Sequence, residues 1–154
     1  MKEKKFQNIE KKERVQMKKK LFRWGRTLDF CQRKQREIDK LQKMAKQFFI
    51  LGKNAPFLGE EVVTLEEAKQ IYEREIIKIV EYIEKEMEEY SKMGRYIEQL
   101  EYEEQIFLKL RYEKEYQYNY ISLQLHKSRA KCFRDHDVIL DKLIVICKEQ
   151  KLAA

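Results

Sequence analysis

At 154 residues, 40% of them charged and 43% hydrophobic, the chain has room for one modest core, as a single domain or as a small domain carried on a helical extension. One proline and four glycines are too few for the turns of a many-stranded sheet, which leaves an all-α fold of long amphipathic helices. The net charge of +7 bears on partners, not on the fold.

Residues 1–50 hold 17 basic and 6 acidic side chains, residues 51–94 hold 6 and 11, and residues 95–154 hold 11 and 10. A basic N-terminal arm or helix over 1–26 can neutralise phosphates and release their counterions, or meet an acidic protein surface; a solvated helix face has the same composition. Cys31, Cys132 and Cys147 form no C-x-x-C pair, the pattern of free thiols in a reducing cytoplasm. The longest apolar runs, 48–51 and 143–147, are too short for a bilayer and the N-terminus lacks an apolar signal segment, so a soluble cytoplasmic protein with no membrane partner is expected.

In chain order, Leu21, Trp24, Leu28, Cys31, Ile38, Leu41, Ala45 and Phe48 recur at steps of three, four or seven and mark one helical stripe. Gly25 interrupts it and Thr27 suits a new N-cap, so two helices, 3–24 and 28–51, are expected in preference to one kinked helix. Residues 52–59 collect the strongest breakers, Pro56 among them, and predict an interhelix loop. Thr64 and Glu67 then form a T-x-x-E capping box. From there Leu65, Ala68, Tyr72, Ile76, Ile79, Ile83, Met87 and Tyr90 repeat at three and four residues, with glutamates on the opposite faces. The economical arrangement over 27–94 is a long antiparallel helical hairpin of 28–51 against 64–92; the alternative is a homodimer paired through the same stripes.

A C-terminal domain is expected over 95–150. Leu100, Ile106, Leu110 and Tyr112 predict one helix, and Tyr118, Ile121 and Leu125 a short second one. Ser128 is a good N-cap for a third, on which Cys132, Ile139, Leu143 and Ile146 face inward and Arg129, Lys131 and Arg134 outward. That is where a recognition helix places its contacts to bases and phosphates.

With Leu110-Arg111-Tyr112, Ile121, Leu125, Ser128-Arg129, Leu140 and Leu143 in register, the last third of the chain resembles the helix-turn-helix of region four of bacterial sigma factors. His136, eight residues after Ser128 and four before Leu140, is similar to the pattern of small phage regulators of late transcription of the RinA and ArpU type. Three positions depart from the pattern. Ser122 replaces an alanine, His126 the turn glycine, and Asp135 a residue that is often apolar. A glycine at the turn accepts left-handed backbone angles freely, whereas a histidine does so at some cost. No segment resembles the promoter-melting region of a sigma factor, so the resemblance implies duplex DNA binding and contact with RNA polymerase, not autonomous sigma activity.

The expected DNA-binding residues are Lys127, Ser128, Arg129, Lys131 and Arg134, with Arg129 suited to bidentate contact with guanine and Lys127 to phosphate. Tyr112, Tyr116, Tyr118 and Tyr120 could stack on single-stranded bases, but at helical spacing they are expected to fill the junction of a small core. Cys132 and His136 stand four apart and lack a second ligand pair, so no metal or other cofactor is expected. Scattered glycines and the lack of a nucleophile arrangement argue against an enzyme. The leading expectation is a phage or prophage transcriptional regulator that binds a promoter and recruits polymerase. The alternatives are a DNA-recognition subunit of a packaging terminase and a helical adaptor that binds only protein.

Overall fold

Apolar positions three and four residues apart organise almost every segment into helix. A computed structural model of the chain describes residues 9–51 and 65–153, with side chains described over 9–48 and 66–151. Helix α1 spans Lys11–Leu51, α2 Leu65–Ile97, α3 Tyr102–Leu108, α4 Tyr118–Leu125 and α5 Arg129–Ala153. A single π-helical turn, Lys109–Glu113, continues α3. No strand occurs among the described residues, so the fold is all-α. Among the described residues no helix is long and apolar enough to cross a membrane. The proline-containing loop and the Thr64 cap expected from the sequence lie outside the described residues.

The helix break expected at Gly25 does not occur. Helix α1 continues through it, and Thr27 caps nothing: its Oγ1 donates back to the Arg23 carbonyl at 2.8 Å, the bond of a threonine inside a helix. A glycine in a helix interior costs about 1 kcal/mol relative to alanine. The helix withstands it because buried Leu21 and Trp24 hold the adjoining turn in the core. Gly25 serves tertiary packing instead. A Cβ built there would lie 2.1 Å from the Tyr112 carbonyl oxygen and 2.5 Å from its carbon. Only a residue without a side chain lets those two backbones meet.

Two compact units make up the described chain, one of residues up to Thr27 with those from Glu89 onward, the other Leu28–Glu88. In the first unit Met17, Leu21 and Trp24 share a core with Met93, Ile97, Leu100, Phe107, Leu108, Tyr112, Ile121, Cys132 and the inner face of α5. Residues 9–26, expected as part of a separate basic arm, are therefore part of the C-terminal domain. Burying three such large apolar side chains contributes roughly 1.5–3 kcal/mol each. Polar contacts fix the register: Arg14 grips Asp141 through both carboxylate oxygens at 2.7 Å, and Lys148 pairs with Glu13 at 2.8 Å. The Asp141 contact holds the Arg14 guanidinium above its already high range.

Within the second unit Cys31, Ile38, Ala68 and Tyr72 are buried, and the Phe30 and Tyr82 rings meet at 5.5 Å. Burial pushes the Cys31 thiol up, with Glu86 adding to the effect. Leu28, expected on the inner stripe, is instead 46% exposed. Ile77 and Val80 of α2 also face outward, so this helix is apolar on more than one side.

Candidate nucleic-acid interface

Glu101 starts α3, its backbone N–H donating to the Glu104 carboxylate three residues on at 3.1 Å. At the other end the chain widens into the π turn, where the Lys114 N–H donates to the Lys109 carbonyl at 3.0 Å. This turn delivers Tyr112, fully buried, to the centre of the first unit. The chain then reverses at Glu115, whose φ is +58°, and the Glu115 carboxylate accepts from Arg26 at 2.7 Å.

A tight connection of His126, Lys127 and Ser128 joins α4 to α5. His126 takes left-handed angles, φ 54° and ψ 43°, in the position where the sequence lacks the expected glycine. The Lys127 N–H donates to the Ser122 carbonyl at 3.0 Å and closes the turn. Ser128 then caps α5, its Oγ accepting from the Lys131 N–H at 3.1 Å.

His136 of α5 is only 2% exposed. Its Nε2 is 2.6 Å from the Tyr112 hydroxyl and its Nδ1 2.7 Å from the Tyr118 hydroxyl. A neutral imidazole has one donor and one acceptor nitrogen, so it gives a hydrogen bond to one tyrosine and takes one from the other. Burial holds the imidazole down to a pKa of about 3, and Lys18 and Arg111 oppose a further positive charge. Burial likewise pushes the Tyr112 and Tyr118 phenols up. Both ring nitrogens are engaged by phenols, so His136 and Cys132 do not form a ligand pair. No cluster of three metal-ligating side chains occurs among the described residues. The tyrosines divide by depth: Tyr112 is core, Tyr116 and Tyr118 are half-buried, and Tyr120 is exposed.

Cys132, His136, Ile139, Leu140 and Leu143 form the buried stripe of α5, and half-buried Ile146 extends it. At about 3.6 residues per turn, Arg134 stands directly opposite that stripe, with Ala130 beside it. Arg129 and Phe133 lie on the flank toward α4, and Lys131 lies on the flank toward α3. All five are exposed. Ser128 acts as the cap, and Lys127 is held by carboxylates: its Nζ is 3.1 Å from Asp135 and 3.9 Å from Glu103. The hydrogen bond to Asp135 raises the Lys127 ammonium pKa. A recess of about 170 Å³ opens here, where Lys127 and Lys131 face Glu101, Glu103, Glu104 and Asp135.

The sequence thus locates three exposed basic residues, Arg134 on the outer face and Arg129 and Lys131 on the flanks, but misses the acidic rim beside Lys127 and Lys131, because α3 reaches that rim only through tertiary packing. It also misses Phe133, whose only sequence signal is its position four residues after Arg129 on the same helix. Comparisons with protein families, curated proteins and solved structures found no match to this chain.

Proposed function

We propose that the chain is a DNA-binding transcriptional regulator of phage or prophage origin, acting in the cytoplasm by binding a promoter and recruiting RNA polymerase, without catalysis. The observation that carries this reading is the turn from α4 into α5. A left-handed His126 and a capping Ser128 launch a helix whose outer face holds Ala130 and Arg134, with Arg129 exposed on the flank toward α4. Such a helix suits the major groove, with its first turns at the base edges. The position of α1 supports the reading electrostatically. Residues 95–154 are nearly neutral, but residues 9–27 bring eight basic and two acidic side chains into the same unit, which makes it attractive to phosphate. The exposed Ile77 and Val80 offer the second unit an apolar contact for a homodimer, which would place two recognition helices on paired half-sites.

Gel-shift titration of the full chain against a pool of duplexes tests the reading. Affinity is expected to fall steeply as salt rises, and Arg129→Ala with Arg134→Ala to remove sequence preference, each costing about 1–3 kcal/mol on the preferred site. Equal retention of all duplexes by the unaltered protein would sink the specific-regulator reading. Light scattering on the same sample checks assembly: a dimer fits it, and a large ring favours the terminase alternative.

The acidic rim gives a second expectation. Phosphate must compete with Asp135 for Lys127, so Asp135→Asn should tighten duplex binding at low salt by about 0.5–1 kcal/mol, roughly two- to fivefold. Unchanged or weaker binding would mean that Lys127 does not face phosphate.

A further inference from the structure

Isolated apolar side chains on a surface are ordinary, and Phe133 at 42% exposed would need no explanation on that ground alone. What sets it apart is how firmly it is held. Its ring stacks on Tyr118 with centroids 4.1 Å apart and planes inclined by 27°. Tyr118 is itself fixed by its hydrogen bond to His136 and by the Arg111 guanidinium 4.7 Å over its ring. The Arg129 guanidinium lies 5.5 Å from the Phe133 centroid. The result is a rigid apolar edge beside a cation, on a helix whose outer face also bears Arg134. A contact made by a ring already fixed in place loses little side-chain entropy on binding.

The major-groove edges of duplex DNA match these two neighbours. Guanine offers N7 and O6 to an arginine, and thymine alone among the four bases offers a methyl group to an apolar side chain. We propose that Phe133 is a base-specifying residue that receives the C5-methyl of a thymine adjacent to a guanine bound by Arg129. The proposal rests on the reading of α5 as a recognition helix, and the positive charge of Arg129 and Arg134 selects nucleic acid as the occupant of this face. It adds an apolar determinant to a site otherwise defined by basic residues.

The test removes the methyl group from the DNA and leaves the protein intact. Duplexes enriched from a random pool by the full chain are resynthesised with deoxyuridine replacing one thymine at a time. Burying one methyl is worth about 0.8 kcal/mol, so affinity should fall about fourfold at one thymine and stay unchanged at the others. Phe133→Ala should bind the thymine and uracil duplexes equally, whereas Phe133→Leu should keep most of the difference. Circular dichroism melting confirms that both variants fold. Four results overturn the proposal. Enriched duplexes that bind equally with thymine or uracil refute methyl recognition while leaving DNA binding in place. Discrimination that persists undiminished in a folded Phe133→Ala assigns the methyl contact to another residue. Tighter binding of single strands than of duplex, lost in Phe133→Ala, assigns the ring to base stacking. No enrichment of any duplex removes the DNA-binding reading itself, and this proposal with it.

Discussion

Gly25→Ala is expected to destabilise the protein, although alanine is the better helix former. Helix propensity alone favours the substitution by about 1 kcal/mol. Against this, the new methyl would sit 2.1 Å from the Tyr112 carbonyl oxygen and 3.1 Å from the Glu113 nitrogen, backbone atoms that no rotamer change can move aside. Forcing an extra carbon into such a contact typically costs 1–3 kcal/mol and can cost more. Here it displaces the π turn that carries Tyr112 to His136, so a net loss of about 2 kcal/mol is expected, lowering Tm by about 4–8 °C. Gly94→Ala supplies the control. Gly94 also lies within a helix, and nothing approaches its added Cβ within 4 Å. There the propensity gain stands unopposed, and Tm should rise by about 2–4 °C. Calorimetric melting of the two variants checks both signs. A rise in both would show that the contact between α1 and the π turn does not constrain the fold.

The second large effect is on stability against pH. His136 has a folded pKa of about 3, against about 6.5 for an unperturbed histidine. Between those values the unfolded chain binds a proton that the folded chain excludes, so stability rises with pH through the window and falls on acidification. The slope is about 1.4 kcal/mol per pH unit well below pH 6.5 and half that at pH 6.5 itself, which removes about 1.6 kcal/mol between pH 6.5 and 5. In His136→Gln, which cannot take up that proton, urea denaturation should show a correspondingly flatter dependence over this interval, whatever its stability at neutral pH. Identical slopes for the two proteins would show that the imidazole is not held neutral between the two phenols.

The C-terminal elements were legible because their signals are local. Ser128 marks the start of α5 through the hydrogen bond its own hydroxyl makes, and Ile121, Cys132, Ile139 and Leu143 face inward as their spacing requires. His126 could be read as a turn residue and does adopt left-handed angles. The role of Gly25 was not legible, because in sequence a glycine signals a break, whereas its use depends on a carbonyl 87 residues away at Tyr112. The stripe of α1 was equally opaque in one respect. Periodicity places Leu21 and Trp24 on one face, but it shows neither that Met17 joins them nor which partner buries them. The positions of the DNA-binding candidates were readable, but their pairing was not: the Lys127–Asp135 contact crosses a turn and a helix start. His136 shows the same limit. Its position four residues from Cys132 suggests ligand geometry, until the fold brings two phenols to its ring nitrogens.

The first unit is assembled from the two ends of the described chain, and its Arg14–Asp141 contact joins residues 127 apart in sequence. Bringing such distant segments together carries a loop-closure entropy that grows with the logarithm of the intervening length. Once Phe30 of α1 meets Tyr82 of α2, the loop left to close is shorter. The intervening unit therefore acts as a clasp: its pairing lowers the entropic cost of forming the domain that carries α5, and during synthesis this domain has to wait for the last helix to emerge.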